Sequence, residues 1–292
     1  MKHVKGFSLF ESYSSGLSKE DIDFLNDVVV DGKWRVNKNT GLIDVAGSVY
    51  LKQWGSFNVS FGRIEEDFSY PNSFDYPNPI NKQGLKGAPR EVGHNFYYHG
   101  SEGHYDLIGG PEIVGGYYAV NSCGLTSLEG APREVRDFSC TLNKLKTLKG
   151  GPIKVGYNFE CDNNPLTDLE GSPREIGNDF SCTGTKVISL KGAPEKIGGK
   201  FVISSIERKT SKWTGHKYNE TIAIDWSMDG WIEGLKDIPY LFAPLVASNG
   251  GDIPSNILSV VRRDYPDIWS DIVSKLDQEG AEISADLGDL GF

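Results

Sequence analysis

The sequence predicts a repeat solenoid, a chain wound into short coils that stack on one axis and are closed at both ends by other structure. Three observations carry this. One phrase recurs six times between residues 85 and 203, clearest as Leu145-Lys-Thr-Leu148-Lys-Gly150-Gly-Pro152-Ile-Lys-Val155-Gly-Tyr-Asn-Phe159-Glu-Cys161. Its prolines, Pro89, Pro111, Pro132, Pro152, Pro173 and Pro194, are spaced 22, 21, 20, 21 and 21 residues apart, a period that belongs to stacked repeats. Hydrophobic residues make up 38% of the chain and 35 of its 292 residues are glycine, which suits coils that need few core residues and several tight turns.

In chain order, the lead is poor in periodic apolar residues until Ser18, where a helix is expected. The Ser18 hydroxyl can cap the first turn and Asp21, three residues on, suits the reciprocal bond; Ile22, Phe24 and Leu25 supply an apolar face. Residues 28–36 read as two strand pieces around an Asp31-Gly32 turn. Residues 1–41 are thus expected to cap the solenoid, whose open end would otherwise expose apolar columns and a sheet edge. Val45-Ala-Gly-Ser-Val49-Tyr-Leu51 and Ile64-Glu-Glu-Asp-Phe68-Ser-Tyr70 match the second half of the phrase without its corner. The solenoid is therefore expected over 42–204, with about eight coils. A Pro/Asn-rich stretch from Pro71 to Ile80 reads as a loop thrown out from one face, either a binding loop or a tolerated insertion.

Each column of the phrase has a physical task. Strand side chains alternate, so Phe96, Tyr118, Phe138, Phe159, Phe180 and Phe201 should point inward and stack from coil to coil. Tyr98, Val120, Cys140, Cys161, Cys182 and Ile203 should form a second inward column. Cys123, Asn143, Asn164 and Thr185 can bond backbone groups freed by the next turn. The pairs Leu125/Leu128, Leu145/Leu148, Leu166/Leu169 and Val187/Leu190 fill the core, and Gly-x-Pro makes the corner. Val135, Val155, Ile176 and Ile197 close the back.

Phe138-x-Cys140-x-x-Asn143-x-Leu145-x-x-Leu148 fits the leucine-rich-repeat frame. With its Leu-Glu-Gly-Ala-Pro-Arg-Glu-Val corners, the phrase resembles a repeat family abundant in tailed-bacteriophage genomes, and Trp34-Arg-Val-Asn-Lys-Asn-Thr-Gly41 resembles the start of such proteins. The resemblance spans roughly residues 18–203. It implies an α/β-type, leucine-rich-repeat-like solenoid with short parallel strands on one face, a phage origin, and no transferable catalytic residues. Coil 89–111 departs from the frame, with His99-Gly-Ser-Glu-Gly-His104 in place of the Asn/Leu pattern.

Charge excludes one class of partner. The net charge is -10; residues 218–292 hold 14 acidic and 4 basic side chains, and the first 217 hold 26 of each. Neither part has the basic footprint of a nucleic-acid binder. No stretch has the ~20 apolar residues of a membrane span, and the N-terminus lacks a signal-peptide core, so an intracellular home without membrane contact is expected; with it, the phage resemblance implies the bacterial host cytoplasm. Cys140, Cys161 and Cys182 share one inward column, where core packing is favoured over a soft-metal site because no Cys-x-x-Cys pair accompanies them. A thioester-forming ligase needs a cysteine outside the repeats, and residues 183–292 contain none. No metal, cofactor or catalytic residue is expected.

The outward strand positions carry the functional expectation: Tyr97, His99 and Tyr117 in the early coils, then Asp137, Ser139, Glu160, Asp162, Asp179 and Ser181, forming a concave face. Aromatics suit interface anchoring, and the carboxylates would favour a basic patch on a partner; a face kept polar for solubility is the alternative. Beyond Ser204, a helical domain is expected over 205–276 on the pattern Ile268, Ile272, Leu276. Trp226 and Trp231 are candidate second anchors there, and an acidic tail fills 277–292. The expected function is non-enzymatic: a phage-encoded module binding a host protein, for host takeover or to blunt an antiviral defence. A virion-associated spacer or adhesin is the alternative, and an enzyme with its site in the C-terminal domain is third.

Overall fold

The computed structural model describes residues 16–52, 58–70, 85, 87–99, 106–187, 192–210, 217–225 and 266. Helix α1 (Lys19–Val28) begins where the sequence places it. The Ser18 hydroxyl accepts from the Asp21 amide at 3.1 Å and the Asp21 carboxylate accepts from the Ser18 amide at 3.1 Å, a complete capping box. Strand β1 (Val29–Val36) follows directly and pairs antiparallel with β2 (Ile43–Tyr50). The expected Asp31-Gly32 hairpin turn is corrected to a bulge inside one strand, with Asp31 at φ 53° and a register shift between Val30 and Lys33. The chain cannot reverse there because Gly32 lies flat on β2, where a Cβ would meet the Ala46 carbonyl oxygen at 2.2 Å. Reversal comes at 37–42, closed by the Asn37 amide donating to the Leu42 carbonyl at 2.8 Å.

The remaining strands are β3 (Phe61–Ile64), β4 (Phe68–Ser69), β5 (Glu91–Val92), β6 (Phe96–Tyr97), β7 (Ile113–Ala119), β8 (Glu134–Ser139), β9 (Lys154–Val155), β10 (Phe159–Glu160), β11 (Glu175–Ile176), β12 (Phe180–Cys182), β13 (Lys196–Ile197), β14 (Lys200–Thr210) and β15 (Lys217–Asp225). Their register forms two columns. Val45, Ile64, Val92, Val114, Val135, Val155, Ile176 and Ile197 align along a valine sheet. Val49, Phe68, Phe96, Tyr118, Phe138, Phe159, Phe180 and Phe201 align along a phenylalanine sheet. The degenerate copies in β2, β3 and β4 are therefore true rungs, and the rungs after them follow the Gly-x-Pro corners. The two sheets join where β2, β7 and β8 run through both.

The molecule is thus a parallel β-solenoid, and the α/β-type expectation with strands on one face is corrected. Strands occupy two sides of the coils, and where the third side is described, as at 121–133, 142–153 and 162–174, it is built of turns. The reason lies in the spacing. Between Asn164 and Pro173 the coil must bury Leu166 and Leu169 and then turn at Gly171, which leaves no room for a helix. The corner itself is a Leu-x-Gly-x turn: the Ser172 amide donates to the Leu169 carbonyl at 3.0 Å, with Gly171 at φ 91°. Glycine is demanded at this third position by the left-handed φ, and the six corner glycines share it, with φ between 80° and 96°.

The phenylalanine column forms the spine of the core. Adjacent ring centroids lie 5.9, 5.0, 5.3, 5.4, 5.4 and 5.5 Å apart from Phe68 to Phe201. The rings are fully buried, as are Cys140, Cys161 and Cys182 behind them. Burial raises the pKa of all three thiols well above the ordinary cysteine range, so they pack as small neutral hydrophobes.

The C-terminal helical expectation over 205–276 is corrected for its first part. Strand β14 runs through the expected boundary at 204 as far as Thr210, and β15 pairs with it antiparallel from Lys200↔Asp225 to Thr210↔Lys217. Residues 201–206 (Phe-Val-Ile-Ser-Ser-Ile) and 221–224 (Thr-Ile-Ala-Ile) are rich in β-branched and aromatic residues, which favour strand. The rest of the expected helical domain, the acidic tail and the 71–80 loop lie outside the described residues, apart from Pro266, which is in helical conformation.

Candidate functional site

The solenoid has two outward sheet faces, and they are built differently. On the valine sheet the exposed column reads Arg63, Glu91, Ile113, Glu134, Lys154, Glu175, Lys196 in register. In a parallel in-register stack each side chain sits over its counterpart at about 4.8 Å, where like charges repel. Here the signs alternate around Ile113. Arg63 reaches Glu91 at 3.4 Å and Lys154 reaches Glu175 at 3.0 Å. Glu175 is held below and Lys154 above its ordinary pKa, first by their mutual hydrogen bond and then by their charges. This face is internally neutralised.

The phenylalanine sheet presents three outward columns. The residue before each ring is Asp67, Asn95, Tyr117, Asp137, Asn158 or Asp179. Its side chain accepts the backbone amide of the next rung wherever it is Asp or Asn. Asp67 takes Asn95 N–H at 2.9 Å and Asn95 takes Tyr117 N–H at 2.9 Å. Asp137 takes Asn158 N–H at 3.1 Å, Asn158 takes Asp179 N–H at 3.2 Å, and Asp179 takes Lys200 N–H at 2.8 Å. These bonds splice rung to rung at the bend between the sheets, except at the step from Tyr117 to Asp137. The sequence carried this signal as an Asx before most rings, but only the register tells which amide each one meets.

The third column repeats the device. Asn121 accepts from Thr141 N–H at 2.8 Å and Ser139 O–H at 2.9 Å. Asp162 accepts from Thr183 N–H and Ser181 O–H, both at 2.6 Å. Of the expected partner-binding residues, then, Asp137, Asp162, Asp179 and Ser181 are tied into the scaffold, and Ser139 is 1% exposed beneath its neighbours. The aromatic residues are not tied in this way. Tyr97 and Tyr117 meet edge to face at 6.1 Å, with the His99 ring 5.9 Å from Tyr97. Tyr117 leans along the solenoid and its hydroxyl reaches the Glu160 carboxylate at 3.3 Å, two rungs away. Desolvation, followed for Tyr97 by the Asp67 and Tyr50 charges, raises the pKa of both tyrosines. Burial lowers that of His99, which favours the neutral imidazole.

Tyr50 was missed from sequence because the first rung is degenerate. It stands 39% exposed in the same outward column as Tyr97, with Ser69 between them. Tyr50, Tyr97, His99 and Tyr117 thus form one aromatic end to this face, and Glu160 with the Asp column forms an anionic continuation. Trp226 and Trp231 lie outside the described residues. Among the described residues no group of three or more His, Cys, Asp or Glu side chains could hold a metal ion, and no helix is long and apolar enough to cross a membrane. Fold and face together define a parallel β-solenoid with one self-neutralised sheet and one aromatic–anionic sheet. No family model, curated protein or solved structure matches the chain.

Proposed function

We propose that the protein is a phage-encoded, non-enzymatic binding module that works in the bacterial host cytoplasm. It engages a host protein through the outward face of the phenylalanine sheet, to redirect host machinery or blunt an antiviral defence. One observation carries the reading: Tyr50, Tyr97 and Tyr117 gather on an outward face, where the core does not need them. Partly exposed tyrosines supply contact area at low entropic cost and anchor interfaces. Around them the polar side chains are held by bonds to the scaffold, so the face is preorganised and loses little freedom on binding.

The test is co-purification from host cells with a tagged chain. The expected result is one dominant protein, lost with Tyr97→Ala plus Tyr117→Ala and kept with Lys154→Ala on the opposite sheet. Retention by the double variant, with the fold intact by circular dichroism, overturns the assignment of the face.

A further inference from the structure

The columns of the phenylalanine sheet use aspartate and asparagine for the same bond. Asn95 and Asn158 accept the next rung's amide at 2.9 and 3.2 Å, as Asp67, Asp137 and Asp179 do at 2.9, 3.1 and 2.8 Å. Asn121 takes one amide and one hydroxyl, as Asp162 does. The scaffold therefore needs an acceptor at these positions and does not need a charge. Yet from Asp67 to Thr183 the three outward columns hold five carboxylates (Asp67, Asp137, Glu160, Asp162, Asp179) and no lysine or arginine. Among the described residues, Arg136 at the bend lies 3.7 Å from Asp137 and 5.8 Å from the Tyr157 ring, and Lys200 follows Asp179 in the first column, one rung on. The opposite sheet of the same chain alternates its charges, so the one-signed stack is not forced by the coil geometry. Its self-repulsion is carried where an amide would have served.

We infer that this face docks an arginine-bearing segment of a partner protein, an inference that rests on the binding role proposed above. A guanidinium suits both halves of the face. Its plane lies over tyrosine rings as a cation–π contact, and its forked donors match carboxylates two at a time. Tyr97 and Tyr117 lie in the same columns as Glu160 and Asp137, one to three rungs away. An extended segment running along the solenoid axis would meet the rings first and the carboxylates next. Lysine offers neither the plane nor the fork, and an acidic segment would meet five like charges.

The test uses the full chain and fluorescent deca-arginine, deca-lysine and deca-glutamate peptides, read by anisotropy at about 0.1 M salt, where charges within about 10 Å still interact. Deca-arginine is expected to bind tightest and deca-glutamate not at all. The triple variant Asp137→Asn, Asp162→Asn, Asp179→Asn keeps every scaffold bond and is expected to retain the wild-type melting temperature. Its affinity for deca-arginine should fall about tenfold or more. Glu160→Gln is the second probe, since its carboxylate bonds the Tyr117 hydroxyl and no backbone amide in this ladder. The matched change on the valine sheet, Glu134→Gln plus Glu175→Gln, should leave binding within about twofold. The inference is overturned if deca-arginine does not bind, binds no better than deca-lysine, or binds both face variants as well as wild type. If it is overturned while host-protein capture still requires Tyr97 and Tyr117, the cationic chemistry falls and the binding face stands.

Discussion

Replacing Asn143 by alanine should cost about 3–5 kcal/mol of stability, a magnitude that follows from the bonds one side chain makes. Asn143 is 7% exposed. Its oxygen accepts the amides of Cys123 at 2.9 Å and Leu125 at 3.1 Å, and its nitrogen donates to the carbonyls of Val120 and Cys140, both at 2.8 Å. The side chain thus closes the turn of one coil and pins the coil before it. Four bonds at a net ~1 kcal/mol each give about 4 kcal/mol, and two buried amides left without acceptors, at about 1–3 kcal/mol each, give about 2–6 kcal/mol for the same loss seen from the orphaned donors, which brackets the range. Urea titration followed by far-ultraviolet circular dichroism measures the loss, and hydrogen exchange at Cys123 and Leu125 localises it. Asn143→Asp should recover only the acceptor half, because a carboxylate oxygen would then face the two carbonyls. A loss under about 1 kcal/mol, or unchanged protection at those two amides, would refute the claim that buried side-chain ladders join the rungs.

Three further perturbations test other parts of the account. Gly171→Ala should destabilise by at least about 1–3 kcal/mol, because φ is 91° and the new Cβ would sit 2.2 Å from the Lys149 amide nitrogen; Gly41→Ala, with φ 72° and nothing within 4 Å, isolates the backbone part of that cost in the same melting assay. Tyr118→Phe should stabilise by about 1 kcal/mol, since its buried hydroxyl has no hydrogen-bond partner among the described residues and neighbouring rungs use phenylalanine. Stability should also fall at alkaline pH. The folded pKa values of Cys140, Cys161 and Cys182 are raised above the free-thiol value of 9.0, so their contribution is fully present below that value. It is lost as pH rises above it, at about 1.4 kcal/mol per pH unit and thiol. Melting temperatures between neutral pH and about pH 10 should drop steeply, and Cys→Val at all three positions, matching Val120 in that column, should flatten the drop.

Much of the architecture was legible because repetition turns single residues into columns. Six corners with glycine and proline in fixed places gave the coil length, the inward rings and the apolar pairs, and the Ser18/Asp21 capping box named the first helix. Even the degenerate rungs at Val45/Val49 and Ile64/Phe68 could be found by matching half a phrase. What failed depended on geometry between coils or on non-repeating sequence. The frame Phe-x-Cys-x-x-Asn-x-Leu is shared by solenoids with helical and with turn-built backs, and only the tight spacing from Asn164 to Pro173 distinguishes them. Past Ser204 the column signal ends, and a helical domain is what the sequence suggests from 205, although Lys200–Thr210 runs on as a strand. On the outward face the sequence places the side chains, but not the hydrogen bonds they make. Asp137 and Asp179 looked like free charges because their acceptor role becomes visible only once the next rung's amide is placed beside them.

The most direct test of the central claim, that the phenylalanine sheet is the binding face, is site-specific photocrosslinking in the bacterial host. A photoreactive residue is placed at position 97 or 160 on that sheet, or at position 154 on the valine sheet. The account predicts an adduct to one and the same host protein from positions 97 and 160 and none from position 154. An adduct from position 154, with none from positions 97 and 160, would contradict it.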